Sequence, residues 1–230
     1  MGVNLYLETE VVGIEKTDGQ FKVMTQSPNG QDSFTSSLVV NAAGRVPELD
    51  RMNLEKANIS YNKKGIKVNE YLQSKTNPSI YAAGDAADSH GLNLTPVAVM
   101  EGHAVAANII RGNSKKPDYT EMPSAVFTLP TLAAVGMTEA QAKASGLAYQ
   151  VKDGSASNWY NAKRINESTY AYKVISGKEG NILGAHIISP HAEEMINLFA
   201  MAIRGKLKVA DIRNMVYSYP SMGSDIGSMV

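Results

Sequence analysis

Two stretches ten residues apart hold the side chains best suited to grip a ligand: Tyr81-Ala82-Ala83-Gly84-Asp85 and Leu94-Thr95-Pro96-Val97-Ala98. The first reads as a short apolar strand stopped by Gly-Asp, which places a carboxylate at the carboxyl edge of a sheet, where open α/β folds bind ligands. Glycine there allows close backbone approach, and Asp85 can accept hydrogen bonds from ligand hydroxyls. The second reads as a helix start, with Thr95 as N-cap and Pro96 at the first helical position. Unpaired N–H groups and the positive end of the helix dipole would then stabilise negative charge in the same crevice. Either half alone is most simply a capped helix or a turn. Together they favour a cofactor site.

Other chemistry is narrowed by what the sequence lacks. No two of its 19 glycines are separated by a single residue, so G-x-G-x-x-G does not occur, and there is no Walker A loop, H-E-x-x-H or G-x-S-x-G. With no cysteine there is no disulfide, thiolate metal site or thiol redox centre in these 230 residues. His186 and His191 with Glu193 and Glu194 match no recurrent metal spacing, so no metal is expected. Lys and Arg total 22 against 22 Asp and Glu, a balance that argues against nucleic acid as partner. No apolar run approaches the ~20 residues of a membrane helix. A signal-peptide h-region is also missing at the N-terminus, so the expected address is the cytoplasm, with no membrane partner.

The elements that must position the crevice are marked by local punctuation. Residues 11–17 and 21–25 form a hairpin around Asp18-Gly19, and residues 38–43 read as a buried strand ending at Gly44. A polar connector from Glu48 contains a turn at Asn62-Lys63-Lys64-Gly65. The helix after Thr95 runs to Arg111 with Gly112 as stop, and Val97, Met100, Ala104, Ala107 and Ile110 share one face. Residues 112–120 (GNSKKPDYT) read as a linker. Beyond it the pattern is α+β. Strands are predicted at 124–128, 132–136, 170–176 and 181–189, a capping box at Thr138-Glu139-Ala140-Gln141, and helices at 192–204 and 209–216. The face Met195, Leu198, Phe199, Ala202 and Ile203 suits either a symmetric interface or an ordinary core.

In order, the chain carries Asn41-Ala42-Ala43-Gly44-Arg45-Val46-Pro47, Tyr81-Ala82-Ala83-Gly84-Asp85, Leu94-Thr95-Pro96-Val97-Ala98, Val126-Phe127-Thr128 and Val135-Gly136-Met137-Thr138-Glu139. Along its whole length it resembles the C-terminal half of the pyridine nucleotide–disulfide oxidoreductases: glutathione reductase, dihydrolipoamide dehydrogenase and mercuric reductase. The resemblance implies a fold that is α/β plus α+β. The C-terminal parts of the NAD(P)H- and FAD-binding domains would fill residues 1–116, and an interface (dimerisation) domain residues 117–230. It implies FAD and NAD(P)H as cofactors of the intact protein and a homodimer formed through residues 117–230. Gly84 and Asp85 would bind the flavin ribityl or phosphate region. Thr95 and Pro96 would face the isoalloxazine. Gly44 would line the nicotinamide nucleotide, with Ala125 and Phe127 near the nicotinamide pocket.

Two departures from the family pattern shape the reading. The family's redox cysteine pair and its glycine loops precede the region covered, so the chain reads as a fragment or truncated product that retains FAD poorly and is inactive alone. Tyr219 in Tyr219-Pro220-Ser221-Met222-Gly223-Ser224 stands where disulfide-reducing members carry an acid/base histidine, and Ser224 stands in place of their glutamate. A phenol is a poor general base at neutral pH, and a tyrosine packed at a subunit interface is the plainer role. The leading expectation is part of an FAD-dependent NAD(P)H oxidoreductase. The rivals are a non-catalytic homodimerisation module and a binding protein for another nucleotide.

Overall fold

A computed structural model describes residues 2–230, and its contacts divide the chain into two compact units, Met1–Arg45 and Val46–Val230. The first unit is an antiparallel meander of β1 (Glu10–Thr17), β2 (Gln20–Ser27) and β3 (Gly30–Ser36). Asp18 and Gly19 both take positive φ, 52° and 80°, as the tight primed hairpin turns require, and Thr17 pairs with Gln20 across them. The sequence also reads as a meander with a second turn at Pro28-Asn29-Gly30, and β3 follows that turn, with Ser27 paired to Gly30. The strand expected at 38–43 is not formed. Leu38 and Val40 are exposed, and β3 pairs only with β2, so no neighbouring ladder satisfies the backbone of that segment among the described residues.

The first part of the second unit surrounds a small sheet of β4 (Tyr61–Asn62), β5 (Gly65–Lys67) and β6 (Ala87–Asp88), with β5 parallel to β6. Asn62-Lys63-Lys64-Gly65 forms the expected turn, where the Asn62 side chain accepts from the Lys64 N–H at 2.7 Å. The strand expected through Ser79–Ala83 shrinks to one bridge, Gln73 to Tyr81, although Ala82 is buried. Helix α1 (Thr95–Arg111) ends on Gly112 at φ 74°, as its punctuation predicts. Its N-cap is Leu94, one residue before the expected Thr95. Leu54, Ile66, Leu72, Ala87 and Ala104 make the core here. The segment read as a free linker is strapped down. Asn108 of α1 accepts from the N–H groups of Ser114 and Lys115, and donates to the carbonyls of Tyr71 and Lys115.

The rest is a five-stranded antiparallel sheet in the order β7-β8-β11-β10-β9: β7 (Ser124–Val126), β8 (Thr131–Gly136), β9 (Tyr149–Ser155), β10 (Ala171–Gly177) and β11 (Ile182–Ser189). Helix α2 (Glu139–Ala144) opens on the expected capping box, Thr138 with Gln141. Helix α4 (Ala192–Arg204) lies on β8 and β11, and its Met195, Phe199 and Ala202 enter the core. Leu198 is exposed, so the predicted apolar face is mostly core. Strand β9 and the short helices α3 (Tyr160–Arg164) and α6 (Ile226–Met229) were not foreseen. Helix α5 (Val209–Asn214) stops two residues before the expected 216. Among the described residues, no helix is long and apolar enough to cross a membrane.

Candidate functional site

The crevice is built from a turn and a helix start. Ala83 is extended, and Gly84–Ala86 then makes one turn of 3-10 helix, with Gly84 at φ 62°. A Cβ on Gly84 would lie 2.9 Å from the Ala98 Cβ, so the glycine lets this turn sit directly on the first turns of α1. Asp85 follows within the turn and is partly buried. At the start of α1 the N-cap residue Leu94 is apolar and supplies no side-chain cap, and Thr95 and Pro96 are exposed. The two motifs are thus brought together. A helix start without an N-cap side chain suits an anionic or strongly accepting ligand group.

One functional side chain escaped sequence reasoning. Glu101, 1% exposed, accepts from the Gly84 N–H at 2.6 Å, the Ser89 hydroxyl at 2.6 Å and the Tyr119 hydroxyl at 2.7 Å. Burial first, and then the bond to Glu101, push the Tyr119 phenol well above its ordinary range, so it stays a donor at any working pH. A cavity of about 250 Å³ lies beside these partners, lined by Asn69, Asp88, Ser89, His90 and Tyr119 among others, but it includes neither Gly84, Asp85 nor Thr95.

The other predicted residues sit as follows. Gly44 belongs to the first unit, exposed and at φ 96°. Ala125 lies in β7, half-buried against the sheet core and paired with Ala133, whereas Phe127, just beyond the strand, is 80% exposed. Tyr219 is 68% exposed and leans on Tyr160, with ring centroids 5.8 Å apart. Ser224 turns inward on its own loop, its N–H donating to the Ser221 hydroxyl at 3.2 Å. The next residue, Asp225, is buried and accepts from Asn161 at 2.9 Å and Tyr170 at 3.0 Å. His186 bonds to the Met137 carbonyl at 3.1 Å, and the described residues hold no group of three or more ligating side chains suited to a metal.

Asp225 makes the stability of this part pH-dependent. Burial raises its carboxyl above the ordinary 3.8, against the opposing pull of the bonds from Asn161 and Tyr170. Between those two values the folded chain binds more protons than the unfolded one, so stability falls as pH rises through the window. Asp225→Asn removes that loss. In urea melts from pH 3.5 to 8, the variant should gain on the wild type as pH rises and lose the gain on acidification. A constant difference across the series would show that Asp225 does not titrate in this way.

Comparisons with known proteins agree with this architecture. Residues 1–102 match the family model "Pyridine nucleotide-disulphide oxidoreductase", and residues 122–230 match "Pyridine nucleotide-disulphide oxidoreductase, dimerisation domain". An uncharacterized 19.7 kDa protein in the mercuric resistance operon of Staphylococcus aureus is 51% identical over 180 residues, which is 78% of this chain and 100% of that protein. Glutathione reductase of Burkholderia cepacia is 33% identical over 97% of this chain and 49% of its own length. Among solved structures, a Cu(II) complex of a mutant of RclA, the HOCl-induced flavoprotein disulfide reductase of Escherichia coli, superposes with a TM-score of 0.86 at 26% identity, over 99% of this chain and 51% of that one. The chain therefore spans the whole of the staphylococcal protein and about half the length of the two reductases.

Proposed function

The chain belongs to the pyridine nucleotide-disulphide oxidoreductases, a family of FAD- and NAD(P)H-dependent enzymes, and from that premise we propose that it is the rear half of a cytoplasmic, homodimeric oxidoreductase. In this reading residues 1–116 close the two nucleotide domains and residues 117–230 form the dimerisation domain. Bound FAD would take hydride from NAD(P)H and pass the electrons to a disulfide or another acceptor. The chain's own residues bind and orient. Gly84 lets the turn approach the ligand, Asp85 accepts from its hydroxyls, and the open amides beside Thr95 and Pro96 face its electron-rich end. Gly44, Ala125 and Phe127 serve the nicotinamide side. Tyr219 is a packing residue of the subunit interface, since a phenol is a poor general base and no glutamate follows it as in the family's histidine motif.

The observation that carries the reading is the docking of the Gly84 turn on Ala98 at an uncapped helix start. The test joins this chain to the front half of the Burkholderia glutathione reductase and measures bound flavin by absorbance. A yellow dimer is expected. Asp85→Ala should lower its flavin affinity at least about tenfold, the worth of one or two hydrogen bonds, while Tyr219→Phe leaves flavin content and its reduction by NAD(P)H intact. A folded, colourless dimer would refute the reading.

A second reading has its own support: residues 122–230 hold a separate core, and the staphylococcal relative is a half-length chain in its entirety. A homodimerisation module would self-associate without flavin and show no dependence on Asp85.

A further inference from the structure

The enclosure of Glu101 has a role that no family assignment requires. Its carboxyl receives three donors from the two sides of α1: the Gly84 amide and the Ser89 hydroxyl from the loop before the helix, and the Tyr119 hydroxyl from the segment after it. The same loop closes over it at Gly91, where a Cβ would lie 2.8 Å from Glu101 Oε1, 2.7 Å from Val97 Cγ1 and 3.0 Å from Tyr119 Cε1. A carboxyl 1% exposed is held only where its donors are all in place, so each donor is fixed in turn. Tyr119 is itself held from the other side. Arg204, the last residue of α4, donates to Glu121 at 2.8 Å and to Asp118 at 3.2 Å.

We propose that Glu101 is the positioning residue of the Gly84–Asp85 turn, and that through Tyr119 it ties this turn to the segment gripped by α4. The assignment rests on the reading of that turn as the flavin crevice only for its use, since the clamp exists without any ligand. Removing the clamp frees the amide of Gly84 and loosens Asp85, and the rest of the chain stays folded. It acts on the orientation of the turn, not on the reacting atoms.

The test is hydrogen exchange followed by NMR on the full chain with no flavin added, so its outcome is independent of whether flavin binds. Glu101→Gln keeps the shape, and its carbonyl oxygen can still accept from Gly84 while the Ser89 and Tyr119 hydroxyls turn to the amide NH2. The acceptor is now neutral and the bond weaker. Exchange at Gly84 should accelerate about five- to tenfold, the difference between a hydrogen bond to a charged group and one to a neutral amide, while amides of β10 and β11 keep their rates. The Gly84 amide proton should also move upfield as its short bond weakens. Tyr119→Phe deletes one hydroxyl that does not touch Gly84, and a smaller acceleration of about threefold or more is expected at Gly84, since only a shared carboxyl connects the two. Should Glu101→Gln fail to fold, the Tyr119→Phe arm decides alone. Unchanged exchange at Gly84, or equal acceleration in β10 and β11, would overturn the assignment.

Discussion

Gly184→Ala is expected to leave the five-stranded sheet unformed. Gly184 of β11 pairs with Gly136 of β8, and the two backbones meet there without side chains between them. A Cβ on Gly184 would run into the Met137 carbonyl and lie 2.8 Å from the Met137 nitrogen. These are backbone atoms that cannot swing aside. The Met137 N–H is committed to the Leu183 carbonyl at 2.8 Å, and His186 holds the Met137 carbonyl at 3.1 Å, so a shift breaks both bonds. Gly136 is no freer, with φ at 74° and a would-be Cβ against the Leu183 carbonyl. Relieving the clash means parting two inner strands, β8 and β11, at the end of their ladder. The cost is several kcal/mol, against a total stability on the order of 5–15 kcal/mol for a domain. Circular dichroism and urea titration check it. A variant with the wild-type midpoint would show that the strands can separate there cheaply.

That crossing was visible in the sequence only as Val-Gly-Met and Leu-Gly-Ala, and the contrast with what was legible is instructive. Features written in local chemistry were read correctly. The Asp18-Gly19 hairpin, the Thr138–Gln141 capping box, the Gly112 stop and the turn before Gly65 all depend on a few neighbouring residues. Features that depend on what lies alongside were not. Residues 38–43 have the composition of a central strand, but without a neighbour to complete a ladder they run exposed. Helix α1 shows the same limit within one element. Its buried stripe is Val97, Glu101, Ala104 and Asn108, spaced as one helical face should be, yet a search for apolar periodicity passes over the two polar members. Those two carry the structure of the candidate site, one holding the Gly84 turn and the other the 112–120 segment. The Gly-Asp and Thr-Pro motifs were therefore legible, while the clamp that joins them was hidden by the filter used to find helices.

Helix α4 should separate folding from self-association in two neighbouring substitutions. Phe199 is 0% exposed and packs in the main core, on the helix face that lies over β8 and β11. Phe199→Ala removes most of that side chain from a close-packed interior, which costs about 3–5 kcal/mol, the upper part of the range for core truncation. Met201, two residues on and 70% exposed, points away from that core. Met201→Glu therefore changes the free energy of unfolding of an isolated chain by only about 0.5 kcal/mol or less. The dimer proposed for residues 117–230 responds differently, because a carboxylate placed in an apolar contact must be desolvated without a partner. Denaturant titration at low protein concentration reads the first effect, and sedimentation velocity over a concentration series reads the second. Phe199→Ala should lower the urea midpoint steeply and lose the dimer only because it loses the fold. Met201→Glu should keep the midpoint of the dilute chain and sediment as a monomer where the wild type is a dimer. If Met201→Glu dimerises as the wild type does, α4 is not part of the contact, and the exposed side chains around Phe127 and Tyr219 become the place to look for it.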